Sequence, residues 1–145
     1  MADPARVLIV ANRTAATPAL IEAVRERAAK GPAVFTLLVP HVAHGLHKVV
    51  DAQDTDVSES EAVLGLALPL LDEAAGGKVE GIVGDHEPLA AIQDAINLRG
   101  FDEIILSTLP ARVSRWLKLD LPSKVTGLGL PVTHVEAQEH TAAEA

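Results

Sequence analysis

The sequence predicts an α/β fold: a doubly wound, five-stranded parallel sheet with helices on both faces. Residues 7–10 form an apolar run without alternation, as expected of a strand buried on both faces. Five such short runs alternate with stretches of helical periodicity, and right-handed crossovers then lay each helix against the sheet. The 145 residues and 48% hydrophobic content suit one core. A single domain over residues 1–137 is expected, with 138–145 as a disordered tail that has nothing to bury.

The first strand covers residues 6–10 and ends at Ala11-Asn12-Arg13-Thr14. Thr17 then offers an N-cap and Pro18 a first helical residue, and Leu20, Ile21, Val24 and Ala28 mark the inner face of a helix that Lys30-Gly31 stops. Residues 35–39, closed by Pro40, form the second strand. From His41 to Val57 the pattern dissolves, which predicts a long loop. Ser58 and Glu61 have capping-box spacing ahead of an apolar helix over 63–71, which Pro69 should kink. A short strand over 79–83 leads into Gly84-Asp85-His86-Glu87-Pro88, where Asp85 and His86 are expected to cap the next helix. That helix has Leu89, Ile92 and Ile96 on one face and Gly100 as its stop. Residues 103–107 are the fourth strand, 121–127 a short helix, and 131–135 the last strand.

Composition narrows the function. A net charge of −8 and 2% aromatic residues offer neither a general attraction for a phosphate backbone nor a platform for stacked bases, so no nucleic-acid partner is expected. The absence of cysteine excludes a disulfide framework, thiolate metal sites and thiol catalysis. The N-terminal apolar run is too short for a signal peptide or a membrane span, so a cytoplasmic protein without a membrane partner is expected. Gly127-Leu-Gly129 precedes proline and a strand, the wrong context for a dinucleotide fingerprint.

Open parallel sheets bind ligands beyond the carboxyl ends of their strands, where strand order reverses. That rule nominates residues 11–14 and 107–115, with 84–87 as a neighbouring third. The second segment carries Arg112 and Arg115 one helical turn apart, with Val113, Trp116 and Leu117 turned the other way. Two guanidinium forks on one side can hold a phosphate or carboxylate, and Ser107, Thr108 and Ser114 add hydroxyls, with Asn12 and Arg13 facing them across the crevice. The competing reading is a solvated basic face anchored by Trp116. His41, His44 and His47 recur every third residue, so two but not three could share a metal. A surface loop is the expectation there, with no metal site.

The element order, together with Val83-Gly-Asp-His-Glu-Pro-Leu-Ala-Ala-Ile, Phe101-Asp-Glu-Ile-Ile-Leu and Leu130-Pro-Val-Thr-His-Val, resembles the universal stress protein superfamily over roughly residues 6–135. The resemblance implies strand order 3-2-1-4-5, a homodimer through the last strand, a role in stress response, and in many members an ATP site at the switch point. Those members carry an aspartate after the first strand and Gly-x2-Gly-x9-Gly-Ser/Thr after the fourth. This sequence has Asn12, then Ser107, Pro110, Asp120 and Leu121 at the matching positions. Without the glycines the backbone loses its close approach to phosphate, and proline removes an N–H donor, which argues against classical ATP binding. The implied function is a regulatory or ligand-sensing binding module with a degenerate nucleotide pocket. Its cofactor, if any, is a nucleotide or another small anion. Two alternatives stand beside it: a hydrolase or transferase acting on small phosphate esters, and a structural dimer docking on a partner protein.

Overall fold

The computed structural model describes residues 4–12, 14–40, 52–84, 87–110 and 114–137, and within these leaves the side chains of 52–59 and of Arg115 undescribed. Five strands form one sheet in the order β3-β2-β1-β4-β5: β1 (Ala5–Val10), β2 (Ala33–Pro40), β3 (Glu80–Gly84), β4 (Glu103–Thr108) and β5 (Val132–Glu136). All four pairings are parallel, with Ile9 opposite both Leu37 and Ile105. The doubly wound sheet read from the sequence is therefore the observed one.

β1 is central because its side chains suit both faces. Val7, Leu8, Ile9 and Val10 are each fully buried, and the period of two sends them alternately into two cores. Val7 and Ile9 join Leu20, Val24, Leu71 and Phe35 beneath α1 (Pro18–Lys30) and α2 (Ala52–Ala75). Leu8 and Val10 join Ile92, Ile104 and Leu121 beneath α3 (Pro88–Arg99) and α5 (Leu121–Thr126), where Trp116 of the short α4 (Arg115–Lys118) also packs. A two-pronged ion pair links α1 to β4: the Arg27 Nε and Nη2 donate to the two Glu103 carboxylate oxygens at 2.8 and 2.9 Å. That hydrogen bonding raises the Arg27 pKa above its usual value, against the opposing effect of burial. No helix among the described residues is long and apolar enough to cross a membrane.

Several local details differ from the sequence reading. Thr17 precedes α1 but its hydroxyl does not cap the helix; it donates back to the Thr14 carbonyl at 2.8 Å. α2 already runs from Ala52, so Ser58 and Glu61 lie inside it and do not form its capping box. The physical reason is visible in Gln53, Asp54 and Asp56: polar residues without breakers extend the helix, and acids suit its positive first turn. The helix also continues through Pro69. α3 is capped by Glu87, whose side chain accepts from the Ala90 N–H at 3.1 Å, while Asp85 and His86 lie outside the described residues. Its inner face is Ala91, Ile92 and Ala95, with Leu89 and Ile96 only flanking. The helix sits too close for larger residues: a Cβ on Gly84 of β3 would stand 2.9 Å from that of Ala91. Gly100 ends it as expected, at φ 79° with its N–H bonded to the Ile96 carbonyl.

Candidate functional site

With β1 flanked by β2 on one side and β4 on the other, strand order reverses between β1 and β4, and the crevice lies beyond their carboxyl ends. Two segments meet there. β1 continues through Ala11, tied to β2 by its N–H to the Leu38 carbonyl, into a turn in which the Ala15 N–H bonds to the Asn12 carbonyl. β4 ends in Ser107 and Thr108, both buried.

The hydroxyls form pairs. Ser107 Oγ and Thr14 Oγ1 lie 2.7 Å apart in a buried hydrogen bond that ties the end of β4 to the loop after β1. Thr108 Oγ1 and His134 Nε2 share another at 2.9 Å, joining β4 to the exposed side of β5. Ser114 is buried at the start of α4, where its Oγ accepts from the Leu117 N–H at 3.1 Å and its own N–H bonds to the Pro110 carbonyl. It therefore orders the turn that carries Arg115. Asn12 is the exception: its Oδ1 is buried and has no hydrogen-bond partner among the described residues.

Of the residues nominated from the sequence, Asn12, Ser107 and Thr108 are brought to the switch point, and Ser114 stands at the head of the following helix. Arg13 and Arg112 lie outside the described residues, as does the side chain of Arg115, and so do His41, His44 and His47. Thr14 lies in a nominated segment but was given no role in the site, and His134 was not nominated at all. Thr14 stood in a nominated loop as a hydroxyl. For His134 the signal was weaker, a polar residue within the strand that adjoins β4.

One backbone feature falls between α4 and α5. Asp120 holds φ 60° and ψ 39°, the left-handed region, immediately before α5. Asp tolerates that conformation better than most residues, although glycine is its usual occupant. Asp120 stands where the motif that the sequence resembles carries a glycine, so a left-handed residue is present here without one.

A universal stress protein from Archaeoglobus fulgidus superposes on 90% of this chain and 93% of its own, with a TM-score of 0.64 at 14% identity. The fold is that of the universal stress proteins. A universal stress protein from Archaeoglobus fulgidus in complex with dAMP covers 93% of this chain and 99% of its own, with a TM-score of 0.56 at 17% identity. An Arabidopsis thaliana universal stress protein family member with AMP bound covers 94% of each chain, with a TM-score of 0.59 at 14% identity. No family model and no curated protein matches the sequence.

Proposed function

We propose that this protein is a ligand-sensing binding module of the universal stress protein type, holding a nucleotide or another small anion at the carboxyl edge between β1 and β4. The observation that carries the reading is Asn12. Its buried carbonyl oxygen lacks a partner among the described residues, and a buried acceptor left unpaired costs about 1–3 kcal/mol. A ligand donor, such as a ribose hydroxyl or a base amino group, completes it once the amide turns towards the crevice. Structural neighbours that hold AMP and dAMP support a ligand of that kind.

In this reading Asn12, Ser107 and Thr108 form the polar floor, and Arg13, Arg112 and Arg115 supply the cations, with Ser114 fixing the turn between the last two. The pocket is degenerate towards triphosphates. Pro110 offers no N–H, and Asp120 places a carboxylate beside the loop that other members fill with glycines. A single phosphate or carboxylate asks less of that loop.

Calorimetry and thermal shift with AMP and with Mg-ATP test this. AMP is expected to raise the melting temperature, and ATP to bind more weakly than micromolar. Replacing both Arg112 and Arg115 by Ala is expected to remove the AMP-dependent rise while leaving the ligand-free melting temperature nearly unchanged. Micromolar ATP binding would overturn the degenerate pocket. An AMP effect that survives the double replacement would overturn the role of the arginines.

A further inference from the structure

The opposite edge of the sheet carries a second concavity. At the amino ends of β1, β2 and β3, under the last turn of α3, an open groove of about 780 Å³ is lined by both cations and apolar side chains. It exists because α3 ends at Arg99 and leaves part of this sheet face uncovered: Val34 at the start of β2 is 50% exposed and Leu98 on the helix end is 83% exposed. Phe101, in the turn between α3 and β4, closes one end and packs onto the core beneath α3.

The charge of this groove opposes that of the protein. Three cations, Arg6, Lys78 and Arg99, face it against one carboxylate, Glu80, in a chain of net charge −8. Glu80 is already engaged by Arg99 at 2.9 Å. Lys78 makes no ion pair among the described residues, nor does the Arg6 guanidinium, which stands 5.9 Å from the centre of the Phe101 ring. Asp102, whose Oδ2 accepts from the Arg6 N–H, and Asp72, whose Oδ1 accepts from the Val79 N–H, stand near these cations but pair with neither side chain among the described residues, and two cations without an ion pair beside an apolar wall favour an anion. The wall sets the rest of the ligand: Val34, Leu98 and the Phe101 ring offer apolar area that a hydrated inorganic ion would leave unused.

The geometry points to a second ligand site at the amino-terminal edge of the sheet, one that takes a small amphipathic anion with a phosphate or carboxylate head between Arg6 and Lys78 and a flat apolar body against Phe101, Val34 and Leu98. It is separate from the switch-point crevice, which lies at the other ends of the same strands.

Titration of the full chain with phenyl phosphate, followed by backbone amide NMR, tests the proposal. Saturable shifts are expected at Val34, Thr36, Leu98 and Phe101, with inorganic phosphate and benzyl alcohol each binding at least about tenfold more weakly. Lys78→Gln is expected to weaken phenyl phosphate about tenfold at this edge without changing the melting temperature, Lys78→Arg to retain binding, and Arg6→Gln to weaken it similarly. Lys78 is exposed, so its variants stay informative even if Arg6→Gln unfolds the chain. Shifts confined to Asn12 and Ser107 would overturn the proposal, as would equal binding of inorganic phosphate or an unaltered affinity in Lys78→Gln.

Discussion

Asp120 stores a small conformational cost at the entrance to α5. Its left-handed backbone disfavours any residue with a Cβ, and its side chain makes no capping hydrogen bond that would repay the strain. Asp120→Gly is therefore expected to stabilise the fold by up to about 1 kcal/mol, read as a higher urea midpoint at unchanged slope. Asp120→Ala should do the reverse. Removing the carboxylate should also strengthen AMP binding in the glycine variant, and a glycine variant both less stable and weaker in binding would refute the assignment of this bend. At this scale the sequence was legible for types and not for partners. Ser107 and Thr108 could be placed at the end of a strand from the apolar run before them. Their hydrogen-bond partners could not, because Thr14 is 93 residues from Ser107 and His134 is 26 from Thr108. Such pairs are set by tertiary register, which no local pattern encodes.

β5 is an edge strand, and its outer side has no partner in the sheet among the described residues. The Pro131 carbonyl accepts from the Ile104 N–H, and the Ala137 N–H donates to the Thr108 carbonyl. Alternation along a strand then turns the peptide groups of Val132 and His134 outward, where a second copy could add on. A homodimer through this strand is expected in sedimentation velocity, and His134→Pro should shift it to monomer, since proline removes an outward donor and leaves the backbone ladder to β4 in place, losing only the side-chain bond between His134 Nε2 and Thr108 Oγ1. A wild-type chain that stays monomeric at high concentration would count against the dimer. Elements were the most legible level of this fold. β1, α1 and β4 followed from unbroken apolar runs and from Pro18 and Gly31, all local signals. The start of α2 was missed because Ser58 and Glu61 form a persuasive capping motif that the longer helix passes over. The inner face of α3 was legible only in part: Leu89, Ile92 and Ile96 do pack on the core, but hydrophobicity marks large residues and passes over Ala91 and Ala95, of which Ala91 lies against Gly84.

The whole molecule is one sheet with a core on each face, and β1 is the wall they share. Ile9 belongs to the core under α1 and α2, and Leu8 to the core under α3 and α5, although the two are adjacent in sequence and both fully buried. Truncating either to Ala should cost about 2–5 kcal/mol through lost burial and a cavity. Because the side chains point to opposite faces and share no packing partners, the two losses should add nearly fully, despite residues so close along the chain usually being coupled. A domain of this size has about 5–15 kcal/mol of stability in total, so Leu8→Ala with Ile9→Ala should leave little or none. Urea unfolding of both single variants and the double variant measures the coupling directly. Near-additivity is expected of two cores separated by a stiff sheet. A double variant much more stable than the sum of the single losses allows would mean that β1 shifts to relieve both cavities at once, and the two faces would then form one mechanical unit. That outcome would carry over to binding, since the switch-point crevice and the groove at the amino edge sit at opposite ends of this same strand. If β1 is rigid instead, phenyl phosphate at one edge should leave AMP affinity at the other unchanged.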